Sequence, residues 1–216
     1  MEKRNRRFRP QADGLNPAPL LNDRLEALSP GARRRQGIPQ PMWTVLPALY
    51  LRTRSRPILG IVLHDTAGSG THDDTLHLAR PDDGRAVSAD FTVERDGRIW
   101  NLNPDLTGYC SLHAGQNTAF RGLRNFAVDQ ATVGIEIVQH VDLALTPTYP
   151  TAQVRKVAWL CAWLATTLGL QPSDIITHRQ VTADGSRTDP RYFPFEGPCG
   201  FWAYFWQTLG KQHPGI

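Results

Sequence analysis

Cysteine is scarce in this chain. The three present, Cys110, Cys161 and Cys199, are odd in number and widely spaced, so they form no disulfide framework. No CxxC pair offers a structural zinc site either. Cys161 falls in an apolar helical stretch and reads as core. Long apolar runs are also missing: nothing approaches the roughly 18 residues needed to cross a bilayer, so no membrane span is expected. The opening MEKRNRRFRPQADG is basic but is not followed by an apolar segment, so no secretory signal is expected. That leaves a cytoplasmic protein, or one carried to its place of action by an export or delivery system. There is no internal repeat.

What is present describes a globular domain with a tail. The 216 residues are 40% apolar and 20% charged, enough to bury a core. The net charge of +4 is uneven. Residues 1–57 carry twelve Lys/Arg against four Asp/Glu, and residues 58–216 carry twelve against sixteen. A basic extension, partly disordered, thus precedes a mildly acidic domain. The extension lacks interleaved aromatic residues and any recognised motif, so no nucleic-acid partner is expected from its charge alone. Within it, NDRLEALSPGARRRQG predicts a short helix capped by Asn22 and ended by Pro30-Gly31. The apolar MWTVLPALYL (42–51) should dock on the domain.

From residue 58 the pattern is regular. ILGIVLHD (58–65) predicts a buried strand, and THDDTLHLARPDDG a helix stopped before Pro81. ADFTVERDGRIWNL (89–102) predicts a hairpin turning at Asp96-Gly97. TVGIEIVQHV (132–141) is a second buried strand. Val154, Val157, Ala158, Cys161, Leu164, Ala165 and Leu168 recur at helical spacing, with Gly169 at the C-terminal end. IITH (175–178) predicts a short strand, and GFWAYFWQTL (200–209) a terminal helix whose aromatics pack inward. Alternating strands and helices around one hairpin imply an α/β fold, a central mixed sheet flanked by helices.

Hydrolytic zinc takes three protein ligands and keeps one position open. His64 and His178 both fall at predicted strand ends, and Asp189 follows His178 by eleven residues in a polar loop. Two histidines and a carboxylate make such a set. Spacing alone leaves open that the histidines are merely hydrogen-bonded, and that Cys199 replaces Asp189. Glu136 in an apolar strand is either a reactive carboxylate or a structural one, since a charge there is costly unless paired. His72, His77, His140 and His213 read as surface residues or as supports just outside the site.

Five segments, in order, resemble the zinc N-acetylmuramoyl-L-alanine amidases, whose fold is shared with the peptidoglycan recognition proteins. They are IVLHDTAG, VSADFTVERDGRIWNL, SLHAG, TVGIEIV and ITHRQVTADGSRTDPR, spanning about residues 58–195. The resemblance implies a zinc amidase domain over 58–216 and a peptidoglycan or muropeptide substrate. It implies His64, His178 and Asp189 as metal ligands and Glu136 as catalytic acid/base. Arg187 stands where the family commonly has Lys; it supplies fixed charge to an oxyanion but no proton near neutrality. His113, Ala114 and Asn125 would contact substrate. Ala89 replaces a Tyr found in some members, Leu112 replaces the Trp before His113, and Asp65 replaces a common His or Asn. A binding module of the same fold, without catalysis, is the other class this resemblance leaves open.

Overall fold

The computed structural model describes residues 38–140 and 148–211. The helix expected after Asn22 lies outside the described residues, as does His213.

Ten strands and five helices are present among the described residues. The strands are β1 (Thr44–Val45), β2 (Arg52–Thr53), β3 (Gly60–Asp65), β4 (Phe91–Val93), β5 (Ile99–Asn101), β6 (Tyr109–Cys110), β7 (Ala119–Phe120), β8 (Leu123–Arg124), β9 (Thr132–Ile137) and β10 (Ile175–Thr177). The helices are α1 (His72–Ala79), α2 (Phe126–Ala131), α3 (Thr151–Leu168), α4 (His178–Val181) and α5 (Phe201–Thr208). Six strands form one mixed sheet in the order β1-β5-β4-β9-β3-β10. β4, β9, β3 and β10 run parallel, and the β4–β5 hairpin contributes the antiparallel pair.

Two adjacent interior strands, β3 and β9, are buried along their whole length. That is what a parallel strand covered on both faces requires, and it is why they read as continuous apolar runs. Alternation sorts their side chains. Ile61, Leu63, Val133, Ile135, Ile137, Phe91, Val93 and Ile99 join the main core beneath α3 and α5. His64, Gly134, Glu136 and Thr92 have the opposite parity and face the other way.

Helix α3 carries its apolar stripe onto this core and ends at Gly169, which is left-handed (φ 71°). Its buried Gln153 donates from Nε2 to the carbonyls of Val93 and Val138 (both 2.9 Å), tying the helix start to the sheet. Helix α5 packs on α3 through fully buried Phe201 and Phe205. The aromatic run therefore fills the core; Trp202, Tyr204 and Trp206 are partly buried against it.

Helix α1 covers part of the opposite face. Thr71 caps it by accepting from the Asp73 amide, and it stops at Arg80, before Pro81. Leu78 and Ala79 pack with Ala48, Ala89 and Leu102, and the Thr75 and Thr92 hydroxyls meet at 3.0 Å. Residues 42–51 dock as expected: β1 pairs with β5, and Trp43 stacks against Phe91 and Trp163 at 5.5 and 5.2 Å. Met42 and Leu49 stay exposed.

Two local readings change. The strand expected over 175–178 ends at Thr177, because a capping box between Thr177 and Gln180 starts helix α4 at His178. Arg54, a residue of the basic extension by sequence, is buried. Its guanidinium donates to the carbonyls of Tyr109, Gln130 and Thr132, satisfying the end of α2 where β9 begins.

Candidate metal centre

His64 sits one residue before the end of β3, on the face left free by α3 and α5. His178 opens α4 directly after the neighbouring strand β10. The chain then loops back and returns Asp189 to the same point, where its carbonyl accepts from the Arg179 amide (3.1 Å). The three side chains converge: His64 Nδ1 lies 2.9 Å from His178 Nδ1, and Asp189 Oδ2 lies 3.0 Å from His178 Nδ1 and 3.4 Å from His64 Nδ1. All three offered ligand atoms lie within 4.8 Å of one another. Cys199 is exposed and is not part of this group.

The hydrogen bonds behind the rings fix where their protons are. His178 Nε2 meets the Ala114 carbonyl at 3.0 Å, and a carbonyl can only accept, so Nε2 bears a proton and Nδ1 is the nitrogen turned toward His64 and Asp189. His64 Nε2 meets His113 Nδ1 at 3.0 Å, and His113 Nε2 meets Thr132 Oγ1 at 3.1 Å. The Thr132 hydroxyl already donates to the Val128 carbonyl (2.7 Å), so it must accept from His113 Nε2–H. His113 Nδ1 is then bare and accepts from His64 Nε2–H, which leaves His64 Nδ1 bare too. Burial holds both His64 and His113 below the ordinary imidazole pKa, consistent with neutral rings.

Two imidazole nitrogens and a carboxylate oxygen thus converge on one point. With the ring protons on Nε2, their lone pairs are the donor set a cation takes. Tetrahedral zinc with bonds of about 2.0–2.1 Å spaces its ligand atoms roughly 3.3 Å apart, close to the three separations here. The donor set fits zinc, with one coordination position left for solvent or substrate.

Glu136 points from β9 to the same face, and its buried Oε2 has no hydrogen-bond partner. Burial pushes its carboxyl well above the usual range, with Asp189 and Asp65 reinforcing the shift and Arg187 opposing it. A groove of about 630 Å³ runs past these groups, lined among others by Glu136, Arg187, His77 and Arg191. Arg187 is exposed on its rim. Two latches shape the rim. Asp65 accepts from the Arg191 amide (2.7 Å) and from Arg191 Nη2 (3.1 Å), holding the loop that carries Asp189. Asp74 accepts from Thr66 Oγ1 (2.7 Å) and from the Ser69 and Gly70 amides (2.7 and 2.9 Å), shaping the loop after His64.

A family model for N-acetylmuramoyl-L-alanine amidases matches residues 54–192. The chain belongs to the N-acetylmuramoyl-L-alanine amidase family. No curated protein sequence matches it significantly. Among solved structures, this amidase-family chain resembles a selenomethionine derivative of AmpD (TM-score 0.58, 22% identity, 77% of this chain and 93% of that one). It also resembles AmiA of Staphylococcus aureus in complex with its ligand (0.57, 17%, 96% and 98%). A third is AmiD of E. coli in complex with anhydro-N-acetylmuramic acid-L-Ala-D-gamma-Glu-L-Lys (0.53, 20%, 74% and 61%). At these identities the likeness shows the shared fold.

Against that amidase-family fold, the site residues read from sequence separate into groups. His64, His178 and Asp189 come together, with Glu136 and Arg187 on the same groove. His113 and Ala114 lie beside the metal centre, and His113 borders the groove. The His113 side chain is buried with both ring nitrogens engaged, and Ala114 reaches His178 through its carbonyl. Asn125 caps α2, accepts from the Asn117 amide (2.9 Å) and does not line the groove. Sequence reasoning missed His77 as a groove residue and Asp129, Thr132 and Arg191 as supports. Only Thr132, which opens the strand bearing Glu136, left a positional signal.

Proposed function

We propose that this chain is a zinc-dependent amidase that cleaves the bond between the lactyl group of N-acetylmuramic acid and L-alanine in peptidoglycan or muropeptides. The observation that carries the reading is the convergence of the His64 and His178 Nδ1 atoms with Asp189 Oδ2, with the unpartnered Oε2 of Glu136 on the same face. AmiD, of the same fold, holds a muramyl peptide of this kind.

Zinc held by His64, His178 and Asp189 would supply Lewis acidity toward the amide carbonyl and toward a water molecule. Glu136 takes the proton from that water and delivers it to the leaving amine of L-alanine. Its raised pKa suits it to both halves of that transfer. Arg187, on the groove rim, contributes positive charge and donors to the oxygen on which charge develops.

The test is metal analysis with chelation. Purified protein is expected to hold about one zinc per chain, and a chelator should remove zinc and hydrolysis together. Full hydrolysis by zinc-free protein overturns the reading, as does zinc uptake without any hydrolysis.

A further inference from the structure

One turn touches both histidines of the metal centre. The His113 ring accepts from His64 Nε2–H, and the next residue's carbonyl, that of Ala114, accepts from His178 Nε2–H. The turn itself is clamped from behind. Asp129 Oδ1 accepts from the His113 amide (2.8 Å) and the Ala114 amide (2.7 Å), and the Asp129 side chain is buried. On the far side, the chain from His113 Nε2 through Thr132 to the Val128 carbonyl can run in one direction only, because a carbonyl cannot donate. Gly134 leaves the space: a Cβ there would overlap His113 Cγ and lie 2.7 Å from its Cβ.

We infer that the His113–Ala114 turn, clamped by Asp129, orients both metal-binding histidines and sets their protons on Nε2, with His113 acting as a positioning residue for His64. Each hydrogen bond holds a ring plane and directs its bare Nδ1 at the metal position. His113 acts through His64, to which its Nδ1 is bonded. This rests on the zinc-amidase reading, and the experiment separates the two.

Zinc affinity is measured by chelator competition for wild type, His113→Ala and His113→Asn, with folding checked by circular dichroism. His113→Ala is expected to weaken zinc by about ten- to a hundredfold. His113→Asn, whose side-chain oxygen can take the place of Nδ1 as acceptor, is expected to recover part of the loss. Nitrogen-15 NMR of zinc-loaded wild type reads the tautomers directly, whatever the variants do. His64 and His113 should each carry the proton on Nε2. A proton on Nδ1 of His113, or a folded His113→Ala protein with wild-type affinity, overturns this inference and leaves the zinc amidase standing. Wild type that takes up no zinc overturns both.

Discussion

Glu136 lies directly across from His64, its register partner on the adjacent parallel strand. Partners in adjacent strands share a face, so the proposed proton carrier and a proposed metal ligand stand side by side on the rigid centre of the sheet rather than on loops. Glu136→Gln keeps the shape and removes the base. Turnover is expected to fall by about two to four orders of magnitude while zinc stays bound. Near-normal turnover would make Glu136 structural.

The raised pKa of Glu136 also affects stability. In metal-free protein the folded state holds this proton more tightly than the unfolded chain does. The stability this group contributes therefore falls as pH rises above the ordinary carboxylate range toward the raised value, while His64 and His113, held neutral by burial, contribute with the opposite sign. Asp129, pushed up to about 7 by burial against its amide hydrogen bonds, adds the same sign as Glu136. Chemical denaturation of metal-free wild type and Glu136→Gln between pH 4 and about pH 8 checks this; Gln should flatten the decline. Parallel curves would contradict it.

Much of this could be read from the chain because parallel buried strands announce themselves. ILGIVLHD and TVGIEIV have no alternation to confuse them, and each delivers its polar residue at a fixed register. His178 reaches the sheet rim although its strand ends one residue earlier than the sequence implies, since a strand end and a helix start occupy the same rim. The supports were not legible. Arg54 looked like one more charge in a basic extension, yet it is buried on backbone carbonyls contributed by residues more than fifty positions away. His113 reads from sequence as either a cleft residue or a turn residue, because nothing local reveals that its ring faces Thr132 and His64. Contacts across such distances have no sequence period.

Gly134 gives a sharp packing test. Gly134→Ala places a methyl group against the His113 ring. It is expected to cost about 1–3 kcal/mol by overpacking and to weaken zinc binding by displacing that ring. Thermal unfolding and zinc titration measure the two. Unchanged values for both would mean that the ring has room to move.

The latch from Asp65 to Arg191 holds the loop two residues beyond Asp189. Asp65→Ala is expected to cost about 1.5–3 kcal/mol through lost charged hydrogen bonds, and to lower zinc affinity by freeing Asp189. Chelator competition on the folded variant decides; unaltered affinity would show that the Arg179 amide and the Tyr149 hydroxyl, which donates to the Arg191 carbonyl (2.9 Å), suffice to hold the loop.

The central claim is tested most directly by the mass spectrum of products from a defined muramyl peptide. The expected result is one new pair: a sugar with a free lactyl carboxyl group and a peptide beginning with a free L-alanine amine, absent after zinc removal and restored by adding zinc back. An intact substrate under zinc-replete conditions, cleavage at any other bond, or the same products after complete zinc removal would contradict it.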